Sequence, residues 1–207
     1  MDELLAEIRA CRRCEASLPL GPRPVVQAGG SARVVVVGQA PGRQVHASGI
    51  PWDDRSGRRL REWLGTPLEA FYDRRRVALV PMGFCYPGAG PSGDAPPRPE
   101  CAPTWHGRLW PRLRGVALWV LVGRHAQAAY DPVHPRSLTR AVRSWPTHPP
   151  GLVVLPHPSP RNNGWLSANP WFEAEVLPVV RRQVAAALAG ELEDSGGLGI
   201  ETFVPGR

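Results

Sequence analysis

The sequence predicts an α/β domain built on a central, mainly parallel sheet of about four strands. Two observations predict it. Four short runs rich in Val and Leu (34–37, 76–80, 117–122 and 152–155) are each stopped by Gly or Pro. Between them lie stretches whose apolar residues recur at helical spacing, and strands alternating with helices build βαβ units. Asp2 to Ala10 reads as a short helix through Leu4, Leu5 and Ile8, and residues 15–32 as a Pro/Gly-rich connection. Asp54 to Gly65 reads as a helix through Ser56, Leu60, Trp63 and Leu64, closed by Gly65. Further helices are expected through His125–Tyr130, over Ser137–Trp145 and from about Trp171 to Ala189, with Val176, Leu177, Val180 and Val184 on one stripe. Met82 to Pro103 reads as a long irregular stretch, a length that compact domains keep for functional or tethered segments.

At 207 residues with 43% hydrophobic content, the chain is long enough for one proper core and too short for two comfortable ones. Residues 1–189 are expected to form that domain, and 190–207, Gly-rich and acidic, a disordered tail. No apolar run reaches the length of a membrane span and no signal-peptide pattern opens the chain, so a cytoplasmic protein without membrane contact is expected. A monomer is expected as well. The formal charge is +7 and the pI about 10.2, a balance that favours a polyanionic partner. All 25 basic residues are Arg. No side-chain amine is therefore available for a Schiff base.

Four cysteines stand as Cys11-x2-Cys14 and, seventy residues on, Cys85-x15-Cys101. Without a secretory signal, they argue for metal or redox chemistry over disulfides. Two pairs across a long gap suit a four-thiolate site that pins the N-terminal segment onto the 85–101 loop. Thiolates suit zinc and iron–sulfur clusters alike.

Four β-branched residues, Val34 to Val37, form the most buried strand in prospect, and the chain leaves it through Gly38-Gln39-Ala40-Pro41-Gly42 and Gly49-Ile50-Pro51-Trp52. In open α/β sheets ligands bind at the carboxyl ends of the strands, so this loop is one expected wall of a site. The fourth strand leads into His157-Pro158-Ser159-Pro160-Arg161-Asn162-Asn163.

These two segments resemble the first and second motifs of the uracil-DNA glycosylase superfamily. Gly38-Gln39-Ala40-Pro41-Gly42 with Gly49-x-Pro51-Trp52 is similar to the first motif of the iron–sulfur (family 4) type. His157 to Asn162 is similar to the HPSP-R-N form of the mismatch-specific and single-strand-selective branches. The cysteine pairs match the family-4 cluster ligands in order and spacing, and the resemblance covers roughly residues 4–189.

The resemblance implies a single three-layer αβα domain acting on DNA in repair. The activity implied is hydrolysis of the N-glycosyl bond of a flipped-out deaminated base, uracil foremost, without strand cleavage. It implies a 4Fe-4S cluster on Cys11, Cys14, Cys85 and Cys101, with zinc as the alternative. Trp52 takes the stacking position where the family carries Phe, His157 becomes the donor to the base's carbonyl oxygen, and Gly38, Ala40, Pro41 and Gly42 hold the base edge. Phe84 lines the pocket with Met82 and Gly83, and Ser159, Arg161, Asn162 and Asn163 grip DNA.

This sequence departs from the family in three places. Gln39 stands where family 4 carries Glu, Ala40 at the water-activating Asp of the most active branch, and Pro81 at the uracil-reading Asn. Within the motif His46 is the general-base candidate that remains. The departures keep two other readings open: a nucleic-acid-binding relative with weak or no catalysis, and a glycosylase for hypoxanthine or xanthine. Trp63, Trp110 and Trp119 read as core, while Trp165 and Trp171 stand beside the second motif. His106, His125, His134 and His148 read as surface or loop residues, and Arg74-Arg75-Arg76 as a solvated run able to track phosphate.

Overall fold

A computed structural model of the chain describes residues 1–91, 93–131, 133 and 137–194. The expected position of His134 and most of the expected tail, 195–207, lie outside the described residues. In chain order the helices are α1 (Asp2–Arg9), α2 (Arg43–Ser48), α3 (Arg55–Leu64), α4 (Leu68–Tyr72), α5 (Cys101–Leu109), α6 (Arg124–Tyr130), α7 (Leu138–Arg143), α8 (Asn163–Ala168) and α9 (Leu177–Ala189). The strands are β1 (Val34–Val37), β2 (Val77–Leu79), β3 (Ala89–Gly90), β4 (Gly93–Asp94), β5 (Leu118–Val122) and β6 (Leu152–Leu155).

β1, β2, β5 and β6 are the four expected strands, and they pair in parallel in the order β2-β1-β5-β6. Every residue in them is buried, as happens when both faces of a sheet are covered. Each such Val or Leu contributes on the order of 1.5–3 kcal/mol of burial, so unbroken apolar runs decide where the sheet forms. The connection from β1 leads to one neighbour and a later crossover returns to the other, β5. The topological switch therefore lies between β1 and β5. Trp63, Trp110 and Trp119 are core residues, as expected, with Trp110 edge-on to Trp119 at 5.0 Å.

The stretch expected to be irregular, 82–103, is more ordered than its composition suggests. It contains the two-stranded antiparallel hairpin β3–β4 and the first turn of α5. Pro103 hides α5 from a reading by pattern, yet it falls in the first turn, where the backbone N–H has no helical partner to lose. The expected helix from Trp171 also changes character. Phe172–Val176 forms a π-helical turn, and α9 proper begins at Leu177. Pro178 explains the widened turn, because its ring cannot pack under a regular α-helical carbonyl four residues earlier.

His106 and His148 are not surface residues. Both are buried: His106 sits within α5, and His148 pairs with the buried Asp131 at 3.5 Å. Arg74 and Arg75 do lie in solvent and pair with Asp2 and Asp73. Residues 190–194 lie within the described chain: Gly190 closes α9, and Arg33 bonds the Leu192 carbonyl and the Asp194 carboxylate.

Candidate active site

A cleft of about 400 Å³ opens at the carboxyl ends of the four parallel strands. Each strand exit contributes to its lining: Gly38 to Gly42 after β1, Pro81 after β2, Gly123 and Arg124 after β5, and His157 after β6. Two sequence segments more than a hundred residues apart thus face each other because parallel strands deliver all their exits to one edge. Trp52, Ser159, Arg161 and Asn162, all expected at the site, also line this cleft.

Trp52 holds a backbone conformation rare for its type. Its φ is +58°, and it is the one non-glycine residue with positive φ among the described residues. Such a conformation costs on the order of 1–3 kcal/mol and persists only where the surroundings over-determine it. Here they do. A Cβ on Gly57 would overlap the Trp52 carbonyl, and one on Gly38 would come within 2.7 Å of its indole ring. Two glycines therefore clear the space in which the indole faces the cleft. Across it, the His157 ring lies 5.7 Å away at a 31° tilt.

The His157 Nδ1 accepts the Ser159 backbone N–H at 3.2 Å. That leaves the neutral ring's proton on Nε2, the nitrogen free to serve the cleft. Burial, then the neighbouring His125, push its pKa down to about 4. At neutral pH the ring is thus an uncharged N–H donor. The turn that holds it is braced twice. Asn162 Nδ2 donates to the His157 carbonyl at 2.6 Å, and Arg59 on α3 donates to the Asn163 side-chain oxygen at 2.9 Å. Ser159 Oγ accepts the Arg161 N–H, capping the short 3₁₀ turn Pro160–Asn162.

Two carboxylates line the cleft that the sequence reading passed over as site residues: Asp54 and Asp94. Asp54 is the N-cap of α3, its Oδ1 accepting the Gly57 N–H at 2.7 Å. Burial raises its pKa. Asp94, an exposed residue that ends β4, also lines the cleft, its pKa raised by partial desolvation and by Asp54 against the pull of Arg161 and Arg43. Asp54 carried a local signal, a capping residue just after Trp52. Asp94 carried none, since only the folding of the 89–94 hairpin brings it to the first motif.

Five residues expected at the site do not line the cleft: His46, Met82, Gly83, Phe84 and Asn163. His46 falls on α2, where the chain coils between Gly42 and Gly49. Val45 fills the lining position, and one residue on, about 100° around the helix, His46 turns toward Tyr86 with ring centroids 6.1 Å apart. Phe84 is 1% exposed and packs inward, 5.8 Å from the His106 ring. Asn163 opens α8 and is spent on Arg59. Pro81 does line the cleft, but its carbonyl is taken by His106 Nε2 at 3.0 Å, so it offers the cleft only an apolar ring. Gln39 keeps a long contact from its amide nitrogen to the Ala95 carbonyl, 3.4 Å.

The four cysteines come together in a second, smaller cavity walled by Leu18, Pro22, Pro24, Phe84 and Trp105. All four are free thiols, half-buried. Burial pushes Cys85 up to about 11 and Cys101 up to about 12, and Cys11 and Cys14 add to both shifts. The Phe84 N–H donates to Cys101 Sγ at 3.3 Å, and the Arg23 backbone N–H donates to Cys85. Among the described residues, no group of three or more His, Cys, Asp or Glu converges closely enough to hold a single metal ion. No helix among them is long and apolar enough to cross a membrane.

A parallel α/β sheet whose four strand exits enclose a cleft with an aromatic face and a neutral imidazole donor defines a small-ligand site of the α/β class. The sequence model of the uracil DNA glycosylase superfamily matches residues 26–181, and the chain belongs to that superfamily. At that level the protein is DNA glycosylase-like, of a family that hydrolyses N-glycosyl bonds.

Proposed function

We propose that the protein is a monofunctional DNA glycosylase that releases a deaminated base, uracil foremost, from DNA during repair. The observation that carries this reading is the Trp52–His157 pair, an indole and a neutral N–H donor 5.7 Å apart in one cleft. A flipped base stacked on Trp52 presents its carbonyl oxygen to His157 Nε2. As the N-glycosyl bond breaks, the electron pair passes to the base, and a neutral donor stabilises the developing negative charge without itself giving up a proton. Backbone groups from Gly38 to Gly42, with the Gln39 amide, hold the base edge. Arg161, Ser159 and Asn162 meet the flanking phosphates, in keeping with the basic, all-Arg charge of the chain. The absence of Lys supports hydrolysis without strand cleavage.

Pro81 favours a second substrate arm. With an apolar ring in place of an amide, the cleft lacks the side chain that would tell uracil from other deaminated bases, so hypoxanthine and xanthine belong beside it. Duplex and single-stranded oligonucleotides carrying each base, followed by alkali, test the proposal. Cleavage is expected only after alkali, at uracil or at a deaminated purine. Intact strands throughout would leave a DNA-binding relative without this activity.

The cysteine cavity supports a 4Fe-4S cluster on Cys11, Cys14, Cys85 and Cys101. All four thiols line one cavity, and backbone N–H groups reach Cys85 and Cys101, an arrangement that suits thiolate ligands. When bound, the cluster supplies a cross-link. Its ligands tie the segment after α1 to the start of α5. Anaerobically purified protein is expected to be brown, with iron and acid-labile sulfide in equal amounts, and Cys85→Ser to be colourless. Colourless wild-type protein carrying stoichiometric zinc would replace the cluster by the metal ion.

A further inference from the structure

Hydrolysis needs a group to take the attacking water's proton, and the first motif does not offer one. Gln39 is an amide and Ala40 has no polar atom. His46 lies off the cleft. His157 cannot serve, because Nδ1 is engaged by the Ser159 N–H and Nε2 already carries the proton it donates. Among the described residues lining the cleft, the acids are Asp54 and Asp94.

The two differ in freedom. Asp54 is held as the cap of α3, its Oδ1 spent on the Gly57 N–H. Asp94 sits on a hairpin that crosses from one motif to the other. Its Oδ2 lies against Gly42, 3.2 Å from where a Cβ there would stand. Next to it, the Arg161 guanidinium lies directly over Gly93, where a Cβ would stand. Asp94 is an exposed residue at the rim of the cleft, and among the described residues no hydrogen bond occupies either of its carboxylate oxygens. An acceptor between the two walls of the cleft is thus left for water.

We infer that Asp94 is the general base of the reaction, with Asp54 as the fixed negative charge beside it. The inference rests on the glycosylase reading above. The water oxygen bonds to the sugar's anomeric carbon as the bond from that carbon to the base nitrogen breaks. The bonding pair leaves with the base, whose carbonyl oxygen takes the hydrogen bond from His157. Asp94 accepts the water's proton, and the base anion is later protonated from solvent. The products are the free base and an abasic sugar. The charged groups facing Asp94 are Arg161 from the second motif, Arg43 from α2 and Asp54 from the start of α3. Partial desolvation and Asp54 outweigh the two arginines and raise its proton affinity, which makes it a stronger base.

The test compares wild type, Asp94→Asn and Asp54→Asn in single-turnover cleavage across pH. Binding is followed separately on an oligonucleotide with a non-hydrolysable nucleotide analogue. Asp94→Asn is expected to slow cleavage by about 10²–10³-fold with binding no weaker, as for loss of a general base. The wild-type rate should fall as pH drops through the range where Asp94 is protonated, and that acid limb should vanish in Asp94→Asn. Asp54→Asn keeps the helix cap, since Asn caps as well as Asp. By removing the neighbouring like charge it should move the acid limb to lower pH. Asp94→Asn within threefold of wild type, or with the acid limb intact, overturns the assignment while leaving the glycosylase reading standing. A wild type silent on every base removes both.

Discussion

Replacing His157 with alanine should lower the single-turnover cleavage rate by about 10²–10³-fold, equivalent to roughly 3–4 kcal/mol of transition-state stabilisation. Affinity for the damaged strand should stay within a few-fold. The asymmetry follows from the ring's state. A neutral imidazole with a pKa near 4 contributes little to holding a neutral base. It contributes strongly once the base carries charge, because the largely buried ring acts where water screens that charge less. Stopped assays on a uracil oligonucleotide, paired with binding measured by fluorescence anisotropy, separate the two effects. Rate and binding lost in equal measure would instead make His157 a residue that shapes the turn, in keeping with its contacts to Ser159 and Asn162.

The second large effect concerns stability in acid. His106 is fully buried, its Nε2–H donating to the Pro81 carbonyl at 3.0 Å and its Nδ1 accepting the Tyr130 hydroxyl at 2.6 Å. A second proton on Nδ1 would displace the hydrogen bond it accepts from Tyr130, and burial holds the ring's pKa at about 4 against an ordinary 6.5. Between those values the unfolded chain binds a proton that the folded chain does not, so stability falls as pH drops from 6.5 towards 4. The loss for this residue is about 3 kcal/mol. His157, depressed for a similar reason, acts in the same direction. Urea unfolding at a series of pH values should show this slope, and His106→Phe should flatten it even though the variant starts less stable. An unchanged slope in the variant would show that other groups govern acid unfolding. Because the same histidine fixes the Pro81 carbonyl, this buried pair also decides which face of Pro81 the cleft receives.

The sheet was legible in the sequence because a strand buried on both faces must be apolar without interruption, and four such runs stand out from a chain this rich in Arg and Pro. The helices were less so. α2 and α8 are six residues each, too short for a periodic pattern to emerge. α5 is masked by Pro103 and Gly107, residues that weaken a helix by propensity yet are carried here by packing of Trp105, His106 and Leu109 into the core. The misplacement of His46 has the same source: a stretch read as loop coils into a helix, and a helix rotates each successive side chain by 100°. Phe84 was assigned to the cleft by its neighbours in sequence, but burial of a large ring decided its direction.

By itself, the sequence determined the parallel sheet, the two loops at its carboxyl edge, the pairing of the cysteines in two groups and the basic charge. All of these are properties of short segments or of composition. The tertiary structure alone decided which side chains share the cleft. It brought Asp94 from a hairpin with no local signal to a place beside Gly42, turned His46 away, and fixed the proton of His157 on Nε2 through a backbone group two residues on. The physical reason is that catalytic geometry depends on directions in space between distant segments. Apolar patterning sets which residues are buried and leaves those directions to packing.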